Sequence, residues 1–127
     1  MTATEKPGEG LVVSLSREDG FVVVSGEGEI DFPNGPVLSD RLTAALGERP
    51  PRIVVDLHDV TFVDSTGLAL LVAAHRDARA NQGWLRLAGP RGQLRRLLEI
   101  TNLDRWLPPY PSVEAAATGQ AEQTDGR

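Results

Sequence analysis

The chain has 127 residues, 40% of them apolar and 24% charged, which predicts one globular domain with a normal core. Its net charge of −5 argues against direct binding to nucleic acid, because phosphate backbones recruit basic surfaces. It has no cysteine, which excludes disulfides, thiolate metal sites and cysteine nucleophiles.

Residues 1–9 are small and polar and read as a disordered leader. They contain no apolar signal core, and no later apolar run reaches the about 20 residues that cross a bilayer. The expected location is therefore the cytoplasm, away from the membrane. An apolar strand at 11–16 and a β-branched strand at 21–27 flank Glu18-Asp19-Gly20, a turn composition that predicts a hairpin. Phe32-Pro33-Asn34-Gly35-Pro36 is a loop rich in breakers. From Pro36, the positions Val37, Leu38, Leu42, Ala45 and Leu46 recur at helical spacing, and Gly47 stops the helix.

The near-continuous apolar run at 52–57 predicts a strand covered on both faces. His58-Asp59-Val60 reads as a short loop. A second helix is expected from Ser65 to about Asn81, with Leu68, Leu71, Val72 and His75 or Ala78 on its inner face. Trp84–Ala88 is a fourth strand. A third helix runs from Gln93 to Ile100 with Leu94, Leu97, Leu98 and Ile100 apolar, and Asn102 suits a left-handed cap. Residues 106–110 are extended, but their prolines allow only an edge or non-strand role. Ser112 caps a last helix. The domain is thus expected over 10–117, with a disordered tail at 118–127. The order β-β-α-β-α-β-α-(β)-α predicts an α/β fold: an N-terminal hairpin, then alternating strands and helices around a mixed, mostly parallel central sheet.

Little in the chain suggests catalysis. There is no phosphate-binding glycine motif and no G-x-S-x-G elbow. His58 lies near Asp56 and Asp59, but a metal needs several convergent donors, so no metal site and no cofactor are expected. The informative stretch is Thr61-Phe62-Val63-Asp64-Ser65-Thr66-Gly67-Leu68, at a strand-to-helix junction. Asp64 or Ser65 can cap the helix, a contribution of about 1 kcal/mol. Gly67 costs about 0.8–1 kcal/mol of helix propensity, which a cap alone does not require. A glycine there implies the close approach of another backbone or of a partner, leaving room to reach Ser65. A hydroxyl at a helix start also suits phosphorylation, which adds about −1.5 to −2 charge beside Asp64. From these residues alone, cap and switch both stand.

Further segments align with this stretch: "GEID" at 28–31, "VVDL" at 54–57, "VTFVDSTGL" at 60–68 and "ITNLDRWLPPYPSVEAA" at 100–116. Together they resemble a STAS domain, and more narrowly the stand-alone bacterial anti-sigma factor antagonists. The resemblance spans about 11–117 and implies a cytoplasmic binding protein, not an enzyme. It implies an anti-sigma factor with serine kinase activity as partner and a PP2C-type phosphatase that resets the switch. Ser65 takes the position of the phosphorylated serine, with Thr66 the lesser candidate. The dephosphorylated form binds the anti-sigma factor and frees sigma. Asp31, Asp64, Ser65, Thr66, Gly67 and Leu68 are the implied partner-binding residues. The loop at 32–36 departs from the family's usual small residue and hydroxyl before Ala-Pro, and Asn102 replaces a usual glycine. The alternative is a constitutive STAS adaptor in a lipid-transport or stressosome-like assembly.

Overall fold

A computed structural model describes residues 10–119; the expected leader, and the expected tail from 120 on, lie outside the described residues. The predicted hairpin forms. Strand β1 (Leu11–Arg17) runs antiparallel to β2 (Val22–Ile30), in register from Leu11↔Gly28 to Arg17↔Val22. Leu11 and Val13 of β1 are buried, while Val12 and Ser14, which alternate with them, are exposed, as the two-residue period of a strand demands. A 3-10 turn (Phe32–Asn34) leads into α1 (Gly35–Leu46). Strand β3 (Arg52–Val63) follows, then α2 (Ser65–Ala80), β4 (Trp84–Ala88) and α3 (Gly92–Ile100). A 3-10 turn (Leu103–Arg105), the two-residue strand β5 (Pro109–Tyr110) and α4 (Val113–Thr118) are the last elements among the described residues.

The sheet order is β1-β2-β3-β4-β5, antiparallel only between β1 and β2. Three helices share one face. Leu38 and Leu42 of α1, Leu68 and Leu71 of α2, and Leu94 and Leu98 of α3 meet Val22, Val24, Ile53, Val55, Leu57, Leu85 and Leu87 in a single core. Burying one such leucine stabilises by about 1.5–3 kcal/mol. The opposite face is covered by α4, whose Ala116 packs on Val23, Val54, Ala88 and Tyr110. This explains why Ile53, Val54 and Val55 are all buried: β3 has a layer on each side.

The structure corrects several expectations. His58-Asp59-Val60 is not a loop but the middle of β3. His58 and Asp59 both face solvent because the β2–β3 register shifts between Ser25 and Glu27, and a second shift between Gly28 and Glu29 does the same for Thr61 and Phe62; such bulges break the strict alternation. Thr118, expected to begin the tail, ends α4, with Gly119 as its left-handed cap. Of the apolar residues of α3, Leu94 and Leu98 are buried, Leu97 is half-buried, and Ile100 is 71% exposed. In α2 the inner positions are Ala74 together with both His75 and Ala78, while Val72 is only half-buried. Asn102 takes the left-handed conformation expected of it, with φ 62°.

Candidate functional site

The carboxyl ends of β2 and β3 lie side by side, with Ile30 opposite Val63. The Asp64 N–H donates to the Ile30 carbonyl at 3.0 Å, so the pairing continues one step past the strands. This brings Asp31, which follows β2, beside Asp64, which follows β3. Each aspartate then caps a helical turn. Asp31 Oδ1 accepts from the Asn34 N–H at 3.2 Å and closes the 3-10 turn. Asp64 Oδ1 accepts from the Gly67 N–H at 3.0 Å and caps α2. The other oxygen, Oδ2, accepts from the Phe32 N–H at 2.9 Å. One carboxylate thus ties the start of α2 to the loop after β2. It also sits at the positive end of the α2 dipole, where negative charge is favoured.

The capping question is therefore settled in favour of Asp64. Ser65 is the first helical residue, is exposed, and its hydroxyl has no hydrogen-bond partner among the described residues. Thr66 is half-buried, with its methyl group turned toward Gly35 at the start of α1. Leu68 is buried in the main core. Gly67 is buried too, and its reading needs correction. A Cβ there would stand 2.5 Å from Ile30 Cγ2 and 3.0 Å from Val63 Cγ1. The close approach is intramolecular: α2 is pressed onto the ends of β2 and β3, and no room is left there for a partner. Of the six residues singled out in the sequence, only Ser65 is fully at the surface; Asp31, Asp64 and Thr66 are half-buried.

Three residues of this region escape a sequence reading. Phe32 is 73% exposed, although its backbone is held by Asp64. Asn34 is buried at 4% exposure and donates from Nδ2 to the Glu29 carbonyl at 3.0 Å, fixing the loop after β2 from beneath. Gln93 reaches from α3 to the backbone of Val63. The phenylalanine and asparagine sit in a loop of breakers whose composition signals a turn and nothing more, and the glutamine lies 30 residues from its partner.

Neither histidine builds a metal site, and no group of three or more candidate ligands exists among the described residues. His58 is exposed, with Nδ1 3.1 Å from Asp59 Oδ1. His75 is buried in α2, edge-on to Trp106 with ring centroids 4.5 Å apart. Among the described residues neither of its ring nitrogens makes a hydrogen bond of good geometry, and the Leu85 backbone is at most a weak partner. Burial first, and then the nearby Arg79 charge, hold its pKa below the ordinary imidazole value; the backbone of Leu85 acts in the opposite sense.

Comparison with known proteins agrees with this geometry. The STAS domain family matches residues 13–116. The anti-sigma-B factor antagonist of Staphylococcus aureus is 33% identical over 93 residues, which are 73% of this chain and 86% of that protein. Its Bacillus subtilis counterpart is 33% identical over 91 residues, covering 72% and 83%. Among solved structures, an anti-sigma factor antagonist from Mycobacterium paratuberculosis superposes with a TM-score of 0.78 at 33% identity, over 90% of this chain and 96% of that one. The chain belongs to the STAS domain family and is a homologue of the anti-sigma factor antagonists.

Proposed function

We propose that this protein is a cytoplasmic anti-sigma factor antagonist whose grip on its anti-sigma factor is switched by phosphorylation of Ser65. The observation that carries the reading is the division of labour at the start of α2. Asp64 does the capping, so the Ser65 hydroxyl is exposed and uncommitted. A serine needed as a cap could not be modified without loosening the helix; this one can. The partner is an anti-sigma factor with serine kinase activity, which the unphosphorylated protein binds, releasing sigma. A PP2C-type phosphatase restores the hydroxyl.

The switch works through charge and shape together. A phosphate adds about −1.5 to −2 charge. It joins a patch that already holds Asp64 and, across the strand ends, Asp31. Two unit charges about 4 Å apart interact by roughly 1–4 kcal/mol between water-like and surface-like dielectrics, enough to move affinity by about an order of magnitude or more. A surface that fits over a hydroxyl must also accommodate the added bulk and strip water from the phosphate. The test is incubation with candidate serine kinase anti-sigma factors and ATP, with mass mapping of the modified peptide. Ser65→Ala is expected to abolish phosphate uptake and keep binding, and Ser65→Asp to weaken binding at least fivefold. If both variants bind like the wild type, the switch is not at Ser65.

A further inference from the structure

Strand β3 runs for 12 residues and β4 for only five. β4 pairs with Arg52–Asp56 and goes no further. Beyond that point, among the described residues, β3 has a strand neighbour only on its β2 side. Backbone groups on the bare side must find other partners, because an unpaired buried N–H or C=O is strongly unfavourable. The start of α3 supplies them. Arg91, at the N-cap position, donates from Nε to the His58 carbonyl at 2.8 Å. Gln93, in the first turn, holds Val63 by two bonds. Its Oε1 accepts from the Val63 N–H at 3.0 Å, and its Nε2 donates to the Val63 carbonyl at 2.9 Å. A single side-chain amide makes both bonds that a residue of an antiparallel neighbour strand would make, and only one orientation of the amide satisfies both.

The place of this clamp matters more than its strength. Val63 is the last residue of β3, and Asp64 and Ser65 follow directly. On the other side, Asp64 is tied to Ile30 and Phe32. The segment that presents Ser65 is therefore gripped from both flanks. Gln93 is spared from core packing, which Leu94 and Leu98 of the same helix provide.

We propose that Gln93 is a positioning residue for the acceptor serine: its amide fixes the end of β3, so that the Ser65 hydroxyl meets the kinase in one place. It acts through Val63 and touches no reacting atom. The proposal rests on the reading of Ser65 as the phosphoacceptor, and its test separates the two ideas. Gln93→Met keeps the length and loses both bonds, while Gln93→Glu at neutral pH keeps an acceptor for the Val63 N–H and loses the donor.

The first measurement is amide hydrogen exchange in the free protein. Exchange at Val63 and Asp64 is expected to accelerate at least tenfold in Q93M and by an intermediate factor in Q93E, with Val54 and Leu85 within twofold of wild type. The second is steady-state phosphorylation by the serine kinase, well below the unfolding temperature. kcat is expected to fall at least fivefold in Q93M with KM within twofold, because the binding surface is intact and only the presentation of the hydroxyl suffers. A merely structural residue would lower Tm and leave kcat of the folded protein unchanged. Unchanged exchange at Val63, or unchanged kcat in Q93M, overturns the proposal. If the wild type takes no phosphate on Ser65 while the exchange difference stands, the acceptor reading has failed and takes the clamp's assigned purpose with it, but not the clamp.

Discussion

Replacing Gly67 by alanine sets two effects of known sign against each other. Helix propensity favours alanine by about 0.8–1 kcal/mol. Packing opposes it: the new methyl carbon would lie 2.5 Å from Ile30 Cγ2, 3.0 Å from Val63 Cγ1 and 3.3 Å from Ile30 Cβ. Ile30 and Val63 both have 0% exposure and are β-branched, so neither can swing aside. The first turn of α2 must lift instead, and overpacking of this kind costs about 1–3 kcal/mol. The net expectation is a loss of about 0–2 kcal/mol. Gly35 supplies the matched control. It is also buried and helical, but a Cβ there would meet only Leu70 Cδ1 at 3.7 Å and Thr66 Cγ2 at 3.9 Å, which is ordinary contact. Gly35→Ala is expected to be neutral or to stabilise by up to about 1 kcal/mol. Urea unfolding of both variants beside the wild type decides the matter. If Gly67→Ala proves as stable as Gly35→Ala, the claim that α2 is seated on the strand ends through this glycine is refuted.

Asp64→Ala removes the cap of α2 and the acceptor for the Phe32 N–H together; a loss of about 1–3 kcal/mol is expected in the urea midpoint, with Asp64→Asn retaining part of it. A change below about 0.5 kcal/mol would show that water replaces the carboxylate without penalty. His75 gives a pH dependence. Its folded pKa lies below the unfolded value of about 6.5, so the unfolded chain takes up the proton first and stability falls as pH drops from about 6.5 toward the lowered native value. Chemical denaturation at pH 7.5 and pH 5 should show a smaller acid loss in His75→Phe than in the wild type, and equal losses would remove His75 as the cause. The Arg17–Glu48 pair at 2.9 Å is exposed on the arginine side, so a double-mutant cycle should give no more than about 1 kcal/mol, shrinking with salt.

The parts of the fold legible in the sequence are those set by local rules. The hairpin followed from a β-branched run and an Asp-Gly turn, and β3 from an apolar run that needs cover on both faces. That α2 starts at this junction followed from two capping residues before a helical pattern. What escaped depends on contacts far apart in the chain. The continuation of β3 through His58 and Asp59 is invisible to a two-residue period, because the bulge opposite Gly26 places two successive residues in solvent. Gly67 declared a close approach but not its direction; Ile30, 37 positions earlier, supplies it. At the site, Asp64 and Ser65 could be named but not assigned, since two adjacent capping residues compete and only backbone angles decide. The bonds from Phe32 to Asp64 and from Gln93 to Val63 span 32 and 30 residues, and no periodicity encodes them.

The strand order β1-β2-β3-β4-β5 has a temporal meaning. Each strand pairs with the one made just before it, so a ribosome delivering this chain N-terminus first hands every new strand to a template already present. The end of β3 is the exception. Its second flank is completed by Gln93, which emerges only after β4, so the segment that carries Ser65 is set later than the strand that leads into it. A nascent chain would hold a finished β1-β2-β3 sheet while the segment at Asp64 and Ser65 is still gripped from one flank only, and α3 must dock before that segment is fixed.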